Sequence, residues 1–382
     1  MTIRYVPLND HAEDFCRFTL YDPFNFDIND VFMKPLTVST SMLNHSKKTA
    51  LCISGIVFLA LLLALPCFAA DTRRPKQVVF VRYNLKDEPN STIVREFKKT
   101  MEERGYAEGK DIHYIDFVTR NSERESAEEI LHIADKYLMD GADMFITSGW
   151  TSLYVRSRLA KSKVPQLFTP ALKASALNML PSVETEPNTN LSGVYLTYPP
   201  EKVLRLTRHI LSGITKYAYV YDSRIPADII FKAAYGQLNE HERYGMTVYF
   251  LDLAAGTDTV LQKMNKMGVE AFGGAVGVLK NLADLSQSRL PIITSLLFDR
   301  GEESLADSIR QSNIIAALFN PFDDCARKAA HMTADIFDAK TTIEKTIPQP
   351  AKQLAVINLI AAKRLDIPIP FSALEAVDIV LK

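Results

Sequence analysis

Thr147, Ser148, Gly149, Trp150, Thr151 and Ser152 bring hydroxyls, a glycine and the chain's only tryptophan into one short stretch. The apolar run Met144, Phe145, Ile146 precedes them and reads as a strand buried on both faces. Leu153, Val155 and Leu159 follow at helical spacing. A strand that gives way to small polar residues at a helix start leaves main-chain N–H groups for an anionic or polar head. Trp150, with Tyr83 and Tyr221, offers aromatic faces for an apolar body or a cation. Asp222 and Asp299 each follow a strand-like run, where a carboxylate can reach an ammonium, and Asn84, Thr169 and Gly277 stand at comparable strand ends. Arg82 and Arg300 are anion clamps by chemistry, although a surface placement suits both. The plain alternative for the acids is a solvated loop or helix cap, and for residues 147–152 a capped strand-to-helix turn.

The elements that must position these residues alternate. From residue 77 onward, strands at 78–81, 112–117, 144–146 and 165–169 are joined by helices at 93–101, 123–138 and 153–159. This spacing calls for right-handed crossovers and a parallel sheet. Ligands in such sheets settle beyond the carboxyl ends of the strands. A proline- and asparagine-rich break at 181–190 precedes a second run of the same kind, from 191 to about 340. The expected fold class is therefore α/β, with two doubly wound parallel-sheet domains at 77–190 and 191–340. A strand at 354–358 is expected to return part of 345–382 to the first domain.

The chain has 382 residues, 47% hydrophobic and 23% charged, with a net charge of −1. That composition is globular and gives a nucleic-acid partner no electrostatic support. Cys16, Cys52, Cys67 and Cys325 form no metal-ligand spacing, so neither metal nor cofactor is expected. Walker, HExxH and GxSxG patterns are absent and the histidines are scattered singly, which argues against an enzyme. Residues 42–69 read as a secretory signal peptide: Lys47 and Lys48, an apolar run, then Ala69 and Ala70 as a cleavage point. A lipid anchor on Cys67 and an uncleaved membrane anchor are weaker readings. Residues 1–41 read as an extension upstream of a true start at Met42.

Several segments carry a family likeness. Glu103, Arg104, Gly105, Tyr106, Ala107, Glu108, Gly109, Lys110, Asp111 and Ile112 resemble the "GYxEGxNI" segment of bacterial ABC-transporter substrate-binding proteins of the tryptophan/tyrosine-type branch. Asp143 to Thr147 is similar to that family's strand before the ligand loop. Pro187 to Val194 is similar to its "PGxNxTGV" segment, and Asn358 with Ala361 to Pro370 to its C-terminal "NxxxAKxLGIxIP". The resemblance implies a type I periplasmic binding fold, a multi-crossing hinge and a ligand enclosed between the domains. It further implies a periplasmic, monomeric protein that delivers a small, amino-acid-like or aromatic molecule to an inner-membrane permease. A ligand sensor acting with a membrane signalling partner is the alternative. Thr169 and Pro170 stand where the family has Asp-Pro. Asp222 to Asp228 departs from its "YNxxExNS" loop after Tyr221, so the scaffold carries over and the ligand does not.

Overall fold

The computed structural model describes residues 74–83, 92–119, 123–296 and 309–382. The segments read as an extension and a signal peptide lie outside them, as do Asn84, Asp299 and Arg300.

In the first sheet the strands run in the order β11-β5-β4-β3-β1-β2. They are β1 (Lys76–Tyr83), β2 (Ile112–Thr119), β3 (Met144–Thr147), β4 (Gln166–Leu172), β5 (Leu191–Leu196) and β11 (Gln349–Pro350). All the pairings are parallel. Every residue of β3 is buried, as a parallel strand covered on both faces requires. On one face lies the helix Thr92–Glu103, whose buried Ile93, Val94, Phe97, Thr100 and Met101 repeat at helical spacing. Its Phe97 ring meets Phe80 of β1 edge-on, with centroids 5.1 Å apart.

The second sheet has the order β13-β12-β10-β9-β8-β6-β7. Its strands are β6 (Lys216–Tyr221), β7 (Thr247–Asp252), β8 (Ala271–Gly274), β9 (Ile292–Leu296), β10 (Ile314–Phe319), β12 (Leu354–Asn358) and β13 (Ile379–Leu381). Here one pairing among the described residues is antiparallel, that of β12 with β10, and β13 runs parallel to β12. The molecule is thus a two-domain α/β protein with a parallel-dominated sheet in each half.

Two details differ from the sequence expectation. Leu191–Leu196, expected to open the second domain, pairs with β4 in the first sheet. The polar break before it is no crossing, because Asn190 is buried and binds into the first half. Its side-chain amide reaches the carbonyls of Leu159, Ser162 and Val164 at 2.9, 3.1 and 2.8 Å, and its own carbonyl accepts from Gln166 N–H. The late strand Leu354–Asn358, expected in the first domain, lies in the second sheet. What returns to the first half is β11 and, before it, the helix Phe322–Phe337. That helix packs on Thr92–Glu103, β4 and β5. Its buried face is rich in alanine (Ala326, Ala329, Ala330), which lets it sit close.

The chain passes between the sheets after β5, after β10 and after β11, and the three connections are bonded side by side. Gln353 Nε2 donates to Thr197 O at 2.8 Å. Asn320 Nδ2 donates to Lys352 O at 2.7 Å, and Lys352 N–H donates to Asp324 Oδ2 at 2.8 Å.

Candidate functional site

In each sheet the strand order reverses at one strand. β1 stands between β2 and β3, and β6 between β7 and β8. At such a switch point the chain leaves the sheet on opposite faces, and a crevice opens beyond the carboxyl ends of the two central strands. Tyr83 and the 147–152 stretch stand at the first switch point; Tyr221, Asp222 and Gly277 stand at the second. The two halves of the expected site therefore fall on equivalent ends of the two sheets.

At the first, Gly149 takes φ +56°, and a Cβ there would lie 3.1 Å from Tyr83 Cε1. The turn is fastened to both neighbouring strands. Ser148 N–H donates to Val81 O at 3.2 Å and Gly149 N–H to Pro170 O at 2.8 Å. Thr151 is fully buried, its hydroxyl 2.8 Å from both Val81 O and Ser148 O and accepting from Ser148 N–H at 3.3 Å. The expectation of a row of open N–H groups narrows accordingly. Among the described residues only the amides of Trp150 and Thr151 in this turn lack a backbone acceptor. Ser148 is 8% exposed, and its hydroxyl has no hydrogen bond among the described residues. Trp150 is half-buried, its ring 5.7 Å from that of Tyr83 and 5.9 Å from that of Tyr154. These rings form an aromatic step beside a small polar turn. Thr169 is fully buried and donates to Cys325 O at 3.1 Å. Thr151 and Thr169 thus hold the wall together from behind it.

At the second switch point Lys232 Nζ lies 4.4 Å over the Tyr221 ring and donates to its hydroxyl at 3.1 Å. Asp222 was expected to be open to an ammonium, but it is already paired. Arg224 grips it with Nε to Oδ1 at 2.8 Å and a terminal nitrogen to Oδ2 at 2.7 Å, while Arg224 N–H reaches Oδ1 at 2.9 Å. This guanidinium holds the Asp222 carboxyl below the usual carboxylate range. The Arg224 side chain itself is 69% exposed, so the accessible charge here is positive. Gly277 N–H is turned inward, donating to Asp228 Oδ2 at 3.0 Å.

Asp228 and Arg224 were not singled out from the sequence as site residues. The available signal was an acid in the first turn of a helix opened by proline, Pro226–Gly236, directly after a strand end. Arg82 is neither a surface residue nor an open clamp: it is 5% exposed and makes two 2.7 Å bonds to Asp116. No group of three or more His, Cys, Asp or Glu is placed to hold a metal among the described residues.

No protein-family model matches the sequence, and no curated protein matches it. Solved structures do. A conserved domain protein from Vibrio cholerae is 16% identical with a TM-score of 0.62, over 80% of this chain and all of that one. An ABC domain in complex with L-Trp from Streptococcus pneumoniae is 14% identical at 0.64, over 81% and 100%. The ligand-free, open structure of a substrate-binding protein with adhesive properties from Clostridium difficile is 14% identical at 0.63, over 80% and 99%. The chain has the type I periplasmic binding protein fold, shared with substrate-binding proteins of ABC transporters.

Proposed function

We propose that the protein is an exported solute-binding protein that encloses a small organic molecule, amino-acid-like or aromatic, between its two α/β domains. The observation that carries this reading is the paired placement of the switch points. Each sheet brings an aromatic side chain and polar groups to the same kind of strand end. The structural likeness to substrate-binding proteins supports it independently. Asn84, Asp299 and the described residues Tyr83, Ser148, Gly149, Trp150, Tyr221, Asp222 and Gly277 would border the ligand, with Thr151 and Thr169 bracing the first wall. The ligand would bind the closed form better than the open one, and that difference would drive closure about the three connections. The closed protein would then present itself, as a periplasmic monomer, to an inner-membrane permease. No helix among the described residues is long and apolar enough to cross a membrane.

The test is a melting-temperature screen of the purified protein against amino acids, aromatic acids and nucleosides. A compound bound only by the folded state raises the midpoint with concentration. A screen across all three classes without a shift would sink the proposal.

A further inference from the structure

We infer that Asp228 is the positioning residue of the second wall: its buried carboxylate fixes Asp222 and Gly277, so that Arg224 faces the ligand as a donor for an anionic or hydrogen-bond-accepting group. The ligand part of this inference rests on the cleft reading above; the role of Asp228 does not.

Asp228 is fully buried. An acid in the first turn of a helix ordinarily caps that helix. None of the three bonds to this carboxylate comes from its own helix. Oδ2 accepts from Asp222 N–H at 2.9 Å and Gly277 N–H at 3.0 Å, and Oδ1 accepts from Val276 N–H at 2.9 Å. The donors come from two separate places, the residue after β6 and the first turn of the short helix Val276–Lys280 that follows β8. One carboxylate therefore stitches the two strand ends of the switch point together. The fit is close enough to exclude a side chain at residue 277, where a Cβ would lie 2.5 Å from Asp228 Oδ2 and 3.1 Å from Asp222 Cβ. Burying a carboxylate is costly unless charge-assisted hydrogen bonds replace its water, and three main-chain donors do so here. Burial still pushes its carboxyl up, the N–H groups oppose that, and the neighbouring Asp222 charge adds to the rise. Tyr219 also feels the Asp228 charge, while Lys280 and Arg224 act on Asp222.

The consequence runs outward. With its main chain pinned, Asp222 directs both oxygens at Arg224 and leaves the remaining guanidinium N–H groups pointing away. The second wall then offers donors, and a ligand ammonium would meet an acid already engaged.

The experiment uses the full-length protein and sodium formate as a stand-in for the missing carboxylate. Asp228→Ala should melt below the wild type. Formate should restore much of that loss saturably, where sodium chloride of equal ionic strength does not. Wild type and Asp228→Asn, whose cavity is filled, should not respond. At neutral pH, the Asp222 carboxyl carbon and Arg224 Nε–H signals, read by NMR, should shift in Asp228→Ala and return with formate, a change that general loss of stability would not produce. An equal response of the wild type, or Asp222 and Arg224 signals indifferent to the substitution at neutral pH, would overturn the inference. If Asp228→Ala does not fold, amide NMR of the wild type decides. The Asp222, Val276 and Gly277 signals should follow one shared titration, and independent behaviour would refute the inference. A ligand screen without hits leaves these outcomes untouched and counts only against the cleft reading.

Discussion

At the scale of single residues, the walls depend on positions where side-chain size or charge leaves little choice. Gly149 combines a left-handed φ of +56° with a Tyr83 ring 3.1 Å from where a Cβ would stand. Gly149→Ala should therefore cost about 1–2 kcal/mol in chemical denaturation, and an unchanged midpoint would count against this account of the turn. Asp222 supplies a pH-dependent term. Arg224 holds its folded carboxyl below the ordinary value of about 3.9. Between the two midpoints the unfolded chain binds a proton that the folded chain does not. Stability from this group is thus complete above the ordinary value and is lost as pH falls through the folded midpoint. Asp228, raised by burial, acts oppositely, giving up stability as pH rises from the ordinary value through its folded midpoint. Arg224→Met should move the Asp222 midpoint upward in a carbon-detected titration, and an unmoved midpoint would show that the pair is not what holds it. The sequence showed the polar, aromatic character of residues 147–152. It could not show that Thr151 and Thr169 face the fold or that Asp222 has a partner two residues on, since both depend on how strand ends meet.

At the scale of elements, alternation of apolar strands and amphipathic helices was legible because parallel sheets write buried runs into the sequence. Strand membership was less so. The break at 181–190 has the composition of a linker, yet its last residue, Asn190, is a buried tie between the end of the Thr151–Leu159 helix and β4. Asn190→Ala would leave the carbonyls of Leu159, Ser162 and Val164 without its amide. A loss of about 1–3 kcal/mol is expected, measured as the shift in denaturation midpoint; a neutral substitution would contradict the assignment. The helix Phe322–Phe337 was legible as amphipathic, but not as a member of the first half. Its address is set by small-residue packing against Thr92–Glu103 and by Arg104, which bonds Asp335 at 2.7 Å, contacts far apart in the chain.

At the scale of the whole molecule, two sheets have equivalent switch points and are joined by three bonded connections, which on the proposed reading would form a hinge. Several crossings between the sheets were foreseeable only from family resemblance, because no local pattern records which sheet a strand joins. Gln353 ties the third connection to the first through Thr197 O. If the protein closes on its ligand as proposed, Gln353→Ala should change ligand affinity while leaving the melting temperature of the free protein nearly unchanged, since a connection bond would then act on the balance of open and closed forms. Equal affinity in the two proteins would remove this bond from the account.

The most direct test uses the chain's only tryptophan, which stands in the first wall 5.7 Å from Tyr83. A compound that raises the melting temperature is titrated while Trp150 emission is recorded. The account predicts a saturable change in emission with the same midpoint as binding measured by calorimetry. Saturating binding with the Trp150 spectrum unaltered would place the ligand elsewhere and contradict the cleft.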